Sequence, residues 1–203
     1  MAEWLVERGI AEERAILVEH GEVLAARLRW PGALEAGQIE DARLISRQAG
    51  SRRGTARFAS GEEALVDRLP REASEGAALR LEVLRSAMPE HARRKLAQAR
   101  PTTAPPRPAP TLAETLRREG HAVRPVRTFP DCGWDELWDE AWSDTCAFAG
   151  GSLHFAPTPA MTVVDIDGTL PPRDLARAAV APLAKALRRF DLGGNIGIDF
   201  PTL

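Results

Sequence analysis

The chain has 203 residues, of which 44% are hydrophobic and 28% charged, so it is long enough to form one or two domains with buried cores. Its formal net charge of −2 gives no overall attraction to nucleic acid, so any such contact needs a local basic surface. No apolar run is long enough for a bilayer, no signal peptide is visible, and Cys132 and Cys146 are not spaced as metal ligands. We therefore expect a cytoplasmic protein with two reduced thiols and no membrane contact.

The N-terminal half predicts a β-rich region over residues 1–99. Apolar runs on both sides of His20-Gly21 predict a hairpin. Short apolar segments interrupted by glycine and proline then follow from residue 37 to about 88, a spacing typical of a small barrel or sandwich. The stretch "EHARRKLAQAR", residues 90–100, predicts a short helix.

A proline-rich stretch divides the sequence. Residues 100–111, "RPTTAPPRPAPT", have no capacity to form a core and predict a linker. We therefore expect an α+β fold class in which the β-rich region, 1–99, is followed by this linker and by a mixed α/β region over residues 112–203.

The first predicted helix of the C-terminal half carries three tryptophans. The stretch "DCGWDELWDEAWSDTCAFAGG", residues 131–151, places tryptophans at every fourth position, so they form one stripe. One interpretation is an aromatic platform for nucleic-acid bases. Six acids and no base lie between Asp131 and Asp144, so we favour an amphipathic helix that buries its tryptophans. The stripe consists of Trp134, Trp138 and Trp142.

Two strands, a helix and a last strand follow. They are predicted over "SLHFA", "MTVVDID", "PPRDLARAAVAPLAKALRRF" and "NIGIDF". Strand alternation puts Asp165 and Asp167 on one face of their strand, and Asp199 ends the last strand. Asp165 and Asp199 are 34 residues apart across the helix. Such a strand–helix–strand unit usually forms parallel neighbours, so both carboxylates are expected at the same edge of the sheet.

Carboxylates gathered at one sheet edge repel one another unless a cation lies between them. Mg²⁺ takes oxygen ligands, can activate water and stabilises charge on a phosphate. The pattern therefore predicts a Mg²⁺ site held by Asp165 and Asp199, with Asp167 as a third ligand or as the residue that orients water. The alternative is that these aspartates only end strands or turns.

The stretch "VVDIDGTL" resembles the first motif of haloacid-dehalogenase-type phosphatases. The resemblance implies a nucleophile at Asp165 and an acid/base at Asp167. That family also needs a Ser or Thr, a Lys and an acidic pair on later strands, whereas 36 residues follow Asp167. The motif also normally opens the chain. We therefore interpret this short match as coincidental.

A longer set of landmarks, from Gly150 to Phe200, resembles the catalytic region of the ribonuclease E/G family. The resemblance implies a Mg²⁺-dependent endoribonuclease that acts on single-stranded RNA and leaves 5′-phosphate and 3′-hydroxyl ends. It also implies that opening strands are followed by an inserted OB-type RNA-binding barrel, here at about 37–88. The landmarks are Gly150-Gly151, the stretch from Thr158 to Thr162, Asp165, the run from Asp191 to Gly194, and Asp199.

The sequence departs from that family at several points. Asp167 stands where the family usually has Asn, and the stretch between the two metal aspartates is shorter. The region that senses the RNA 5′ end in longer members is almost absent. The chain is therefore expected to be a reduced homologue or an incomplete one. A catalytically weak RNA-binding remnant is the alternative function.

A local basic segment supplies the expected RNA contacts. Five arginines and no acid lie between residues 43 and 57, which suits contacts with phosphates. One aromatic residue, Phe58, lies beside them for base stacking. The alternative is a solvated basic loop, and the sequence leaves open whether the chain forms a homo-oligomer. The arginines are Arg43, Arg47, Arg52, Arg53 and Arg57.

Overall fold

The computed structural model describes residues 1–90, 93–158 and 160–202 and has a mixed α+β fold. Two compact units form: residues 1–29 together with 116–203, and residues 30–115. The helices are α1 (Leu112–Arg118), α2 (Trp134–Ser143) and α3 (Pro172–Arg189). The strands are β1 (Glu3–Arg8), β2 (Glu13–Glu19), β3 (Glu22–Arg29), β4 (Ile39–Arg47), β5 (Gly54–Phe58), β6 (Glu63–Val66), β7 (Ala78–Arg85), β8 (Met88–Glu90), β9 (Arg93–Lys95), β10 (Ala97–Pro101), β11 (Val123–Val126), β12 (Thr145–Phe148), β13 (Gly151–Pro157), β14 (Thr162–Gly168) and β15 (Ile196–Asp199).

The first sheet has the strand order β11-β1-β2-β3. Strand β1 pairs antiparallel with β2 and parallel with β11, so the start of the chain is joined to the segment after residue 116. The turn between β2 and β3 has positive φ at both His20 (52°) and Gly21 (82°), as a two-residue hairpin turn requires. The predicted hairpin is confirmed.

The second sheet has the order β12-β13-β14-β15 and carries α3 on one face. Leu175, Ala179 and Leu183 recur every four residues, so they lie on one side of the helix, where they are buried. They pack against Leu153 and Val164, which are also fully buried. The predicted strands and the predicted helix are confirmed, and α3 connects β14 to its parallel neighbour β15.

Two paired glycines let α3 approach this sheet closely. Gly151 and Gly168 are opposite each other on β13 and β14. A Cβ on Gly168 would lie 2.4 Å from the carbonyl oxygen of Gly150 and 2.6 Å from the Leu175 side chain. A Cβ on Gly151 would lie 2.4 Å from the carbonyl oxygen of Asp167. The glycine of "DIDG" is therefore required by packing.

Residues 30–115 form a closed five-stranded barrel with the order β10-β6-β5-β4-β7. Strand β10 closes it by pairing parallel with β6 and antiparallel with β7. Small side chains such as Ala56, Ala64 and Ala99 fill the interior beside Leu44 and Leu81. A small barrel is thereby confirmed, and its strand connections are consistent with an OB-like fold.

The helix predicted over residues 90–100 is wrong, because the described part of that stretch is extended. Residues 93–95 and 97–101 form β9 and β10. Ala97 and Ala99 point into the barrel and Gln98 does not, which is the two-residue period of a strand. Closure of the barrel by β10 outweighs the helix propensity of this alanine-rich and arginine-rich sequence.

The proline-rich segment is bound to the barrel along part of its length. Its first residues belong to β10, and the Arg107 backbone exchanges hydrogen bonds of 2.9 and 3.0 Å with Ile39. The Arg107 guanidinium also donates to the Gly37 carbonyl at 3.1 Å. The compact unit that contains the barrel spans residues 30–115 and so includes this segment.

Helix α2 is shorter than predicted and does not bury its tryptophans. It ends at Ser143, Asp144 takes a left-handed conformation with φ of 52°, and residues 145–148 form a strand. Leu137 is the buried residue of the helix, whereas Trp138 is 37% and Trp142 79% exposed. The prediction of buried tryptophans is wrong, because Leu137 occupies the inward face instead.

A search for membrane-spanning helices covered the described residues and found none that is both long and apolar enough to cross a bilayer.

We expect Gly168→Ala to lower the free energy of unfolding by about 1–3 kcal/mol, because the new methyl group meets backbone and the Leu175 side chain. Gly193→Ala is the matched control, since no atom lies within 4 Å of a Cβ there. Urea unfolding followed by circular dichroism measures both variants. Equal stability of the two variants would contradict the close approach of helix and sheet.

Candidate metal centre and nucleic-acid interface

Asp165 and Asp199 are direct neighbours across a parallel strand pair. Asp165 of β14 is in register with Asp199 of β15, two strands that α3 connects. Residues in register on parallel strands point to the same face, and neighbouring strands lie about 4.8 Å apart. Both side chains are exposed, on the face of the sheet opposite the buried Val164. The expected juxtaposition of these two carboxylates is present.

Asp167 lies on the same face of β14, nearer the end of the strand. Its register partner is Ser152 of β13, and its side chain is exposed. Among the residues that the structure describes, no group of three or more His, Cys, Asp or Glu side chains is gathered around one point. Asp165 and Asp199 are in register with each other, whereas Asp167 lies two residues further along β14 and has no carboxylate opposite it on β13.

His154 of β13 is the neighbour of Asp165 on the side away from Asp199. Its ring nitrogens lie 3.2 Å from the Thr145 hydroxyl and 2.9 Å from the Ser152 hydroxyl. The three residues His154, Asp165 and Asp199 thus form one row across the sheet. Strand alternation places His154 and Ser152 on the same face of β13, but it does not indicate that Thr145 of β12 is the neighbour of His154.

The two carboxylates suit a hard divalent cation. Mg²⁺ in proteins is usually bound by one or two carboxylates, with waters and substrate phosphates completing its octahedron. Like charges opposite one another on neighbouring strands destabilise a sheet, and a cation would relieve that repulsion. Asp165 and Asp199 therefore fit a Mg²⁺ site that is open towards solvent.

The cysteines do not add metal-binding or nucleophilic chemistry. Cys132 and Cys146 are both free thiols. Burial, together with the nearby Glu140 carboxylate, raises the pKa of Cys146 to about 11. Burial and Asp131 also raise the pKa of Cys132. Both groups are therefore protonated at neutral pH, and a thiol is a poor nucleophile and ligand.

The five arginines of the predicted RNA-binding segment lie on the barrel, and each one has a hydrogen-bond partner within it. Arg52 donates to the Leu69 carbonyl at 2.9 Å, and Arg47 donates to the Arg71 carbonyl at 3.0 Å. Arg43 donates to the Gly76 carbonyl at 3.1 Å. These three arginines hold loops against strands, which is a structural role that the sequence did not indicate.

The other two arginines form ion pairs. Arg53 contacts Asp67 at 2.6 Å, and Arg57 contacts Glu63 at 2.7 Å. The hydrogen bonds from Arg53 and Gln98 hold the pKa of Asp67 below its ordinary value. Phe58 is 3% exposed and belongs to the barrel core, so it is not available to stack on a base.

A basic groove of about 510 Å³ lies on the barrel surface. It runs along β5 and β6, from the loop that follows β4 to the segment between β7 and β10. Asp67 is the acidic residue among those that line it. The sequence did not indicate this groove, because its cations are up to 48 residues apart along the chain. They are Arg47, Arg53, Arg85 and Lys95.

A scan of the chain against protein-family models and a search of curated proteins each returned no match.

We expect millimolar Mg²⁺ to raise the melting temperature of the protein, because a ligand that binds only the folded state stabilises it. Asp165→Asn and Asp199→Asn should each abolish this rise, and each should leave the metal-free protein as stable or slightly more stable. Asp131→Asn, which removes an equally exposed charge elsewhere, is the control. An unchanged Mg²⁺ response in Asp199→Asn would contradict the pair.

Proposed function

We propose that this chain is a protein of the ribonuclease E/G type that cleaves single-stranded RNA with the help of Mg²⁺. The observation that carries the proposal is the register of Asp165 with Asp199 on parallel strands joined by α3. The ordered landmarks from Gly150 to Phe200 supply the link to that family. The barrel inserted between residues 29 and 116 supports it, because the resemblance implies opening strands followed by an inserted barrel.

The exposed carboxylates of Asp165, Asp167 and Asp199 on β14 and β15, which we call the acidic face, have different proposed roles. Asp165 and Asp199 would hold Mg²⁺, which when bound supplies an activated water and neutralises charge on the scissile phosphate. Asp167, two residues further along the same face, orients the attacking water or completes the ligand set. Cleavage in line with the departing 3′ oxygen leaves the 5′-phosphate and 3′-hydroxyl ends that the resemblance implies.

The barrel is the proposed RNA-binding part. Its groove follows β5, β6 and the loops beside them, which is the surface that OB-like barrels generally offer to oligonucleotides. Phosphates would contact Arg53 and Lys95, and such contacts dominate affinity for single strands. Because Phe58 is buried, binding here depends on charge more than on base stacking.

RNA binding without cleavage is the second candidate function. It is favoured by one observation: two carboxylates are in register, but among the described residues no three His, Cys, Asp or Glu side chains are grouped so that they could hold a metal ion together. A site with two protein ligands holds Mg²⁺ more weakly than one with three. Both candidate functions use the barrel groove to bind RNA, and only the first uses the acidic face to cleave it.

The test of the function is to incubate labelled single-stranded RNA, and separately a small phosphomonoester, with the protein at several Mg²⁺ concentrations. We expect RNA cleavage that needs Mg²⁺, no phosphomonoester hydrolysis, and a loss of at least 100-fold in Asp165→Asn and Asp199→Asn. Asp167→Asn should retain much of the activity, because the family usually carries Asn there.

Binding of intact RNA by the wild-type protein would support the second candidate instead. Hydrolysis of the phosphomonoester, with Asp167 essential and Asp199 dispensable, would refute both and restore the phosphatase interpretation.

We expect the double variant Arg53→Gln, Lys95→Gln to bind single-stranded RNA more weakly and with a smaller salt dependence. Each lost phosphate contact lowers the slope of log K against log salt by about 0.7. Arg80→Gln is the control, since Arg80 lies outside the groove and pairs with Asp41 at 2.9 Å. Fluorescence anisotropy at several salt concentrations measures all three proteins. An unchanged slope in the double variant would exclude the groove as the RNA path.

A further inference from the structure

Helix α2 displays a stacked pair of tryptophans towards solvent. The rings of Trp138 and Trp142 have centroids 6.3 Å apart and planes inclined by 14°. Trp142 is the more exposed of the two, at 79%. Large aromatic side chains left on a surface together are typical of interaction sites, where tryptophan is enriched.

The same side of the helix is acidic. At 100° per residue, Asp135 and Asp139 fall next to Trp138 and Trp142 on one face, opposite the buried Leu137. Both aspartates are exposed, and no Lys or Arg occurs between residues 131 and 144. We call these four residues, Trp138, Trp142, Asp135 and Asp139, the α2 outer face.

Charge decides which partner this face can accept. The phosphates of a nucleic acid or of an anionic membrane would be repelled by the aspartates. A cationic side chain would be attracted twice, by a carboxylate and by the face of an indole ring. The protein already contains such a contact on this helix, since the guanidinium carbon of Arg14 lies 5.4 Å from the centroid of the Trp134 ring.

We propose that the α2 outer face binds a basic segment of a partner protein, one that presents Lys or Arg residues beside apolar side chains. The apolar side chains cover the tryptophan pair, and the cations reach Asp135 and Asp139. This surface belongs to α2 and shares no residue with the acidic face of β14 and β15 or with the barrel groove. The interaction is therefore independent of RNA cleavage.

The experiment is a fluorescence titration of the protein with three synthetic peptides of 18 residues. One has Lys and Leu arranged at helical spacing, the second replaces every Leu by Ser, and the third replaces every Lys by Glu. We expect saturable binding of the Lys–Leu peptide and binding at least tenfold weaker for the other two. Binding of the Lys–Leu peptide should also weaken at high salt.

Variants locate the contact. Trp142→Ala and the double variant Asp135→Asn, Asp139→Asn should each weaken binding of the Lys–Leu peptide at least tenfold. Trp30→Ala, which removes another exposed tryptophan, should not change it. All four of these substituted side chains are exposed, so the fold should be retained, and circular dichroism checks this.

Three results would overturn the proposal. The first is equal peptide binding by Trp142→Ala and the wild-type protein. The second is quenching of the tryptophans by single-stranded RNA that is lost in Trp142→Ala, which would make the face a nucleic-acid platform. The third is a concentration-dependent dimer, seen by sedimentation and abolished in Trp142→Ala, which would make the occupant a second copy of this chain.

Discussion

The parallel pairing of β14 with β15 is the constraint on which the functional argument depends. It places Asp165 opposite Asp199, and α3, which connects the two strands, packs its Leu175, Ala179 and Leu183 face onto the sheet. That packing in turn needs Gly151 and Gly168, since a side chain at either position would displace the backbone. The predicted metal ligands, Asp165 and Asp199, therefore lie on the same sheet that the packing of α3 and the two glycines stabilises.

Several of the landmarks that resemble the ribonuclease E/G family have local structural reasons. Asp191 has a φ of 52° directly after the last turn of α3, the left-handed conformation typical of a helix C-terminus. Gly194 has a φ of 84°, a conformation that favours glycine. Thr158 closes the turn between β13 and β14 through hydrogen bonds with Met161. The two carboxylates are different: Asp165 and Asp199 are exposed, in register and of like charge, an arrangement that a bound cation would stabilise.

Elements with a clear apolar period are predictable from the sequence. Elements whose pairing partners lie far away along the chain are not. The β2–β3 hairpin, β14, α3 and β15 were predicted, because local alternation and helical spacing specify them. Strand β10 was predicted as helix, because only closure of the barrel makes "AQARP" extended. The tryptophans were expected to be buried, but Leu137 took the inward position. The basic groove combines loops far apart in sequence, which no local pattern reveals.

The proposed binding of a divalent cation by Asp165 and Asp199 can be tested with an anomalous difference map from crystals of the protein grown with Mn²⁺, which replaces Mg²⁺ at oxygen sites and scatters anomalously. We expect one strong peak within about 2.0–2.3 Å of a carboxylate oxygen from each of the two aspartates. Absence of a peak there at saturating Mn²⁺, or a peak bound by other residues, would contradict it.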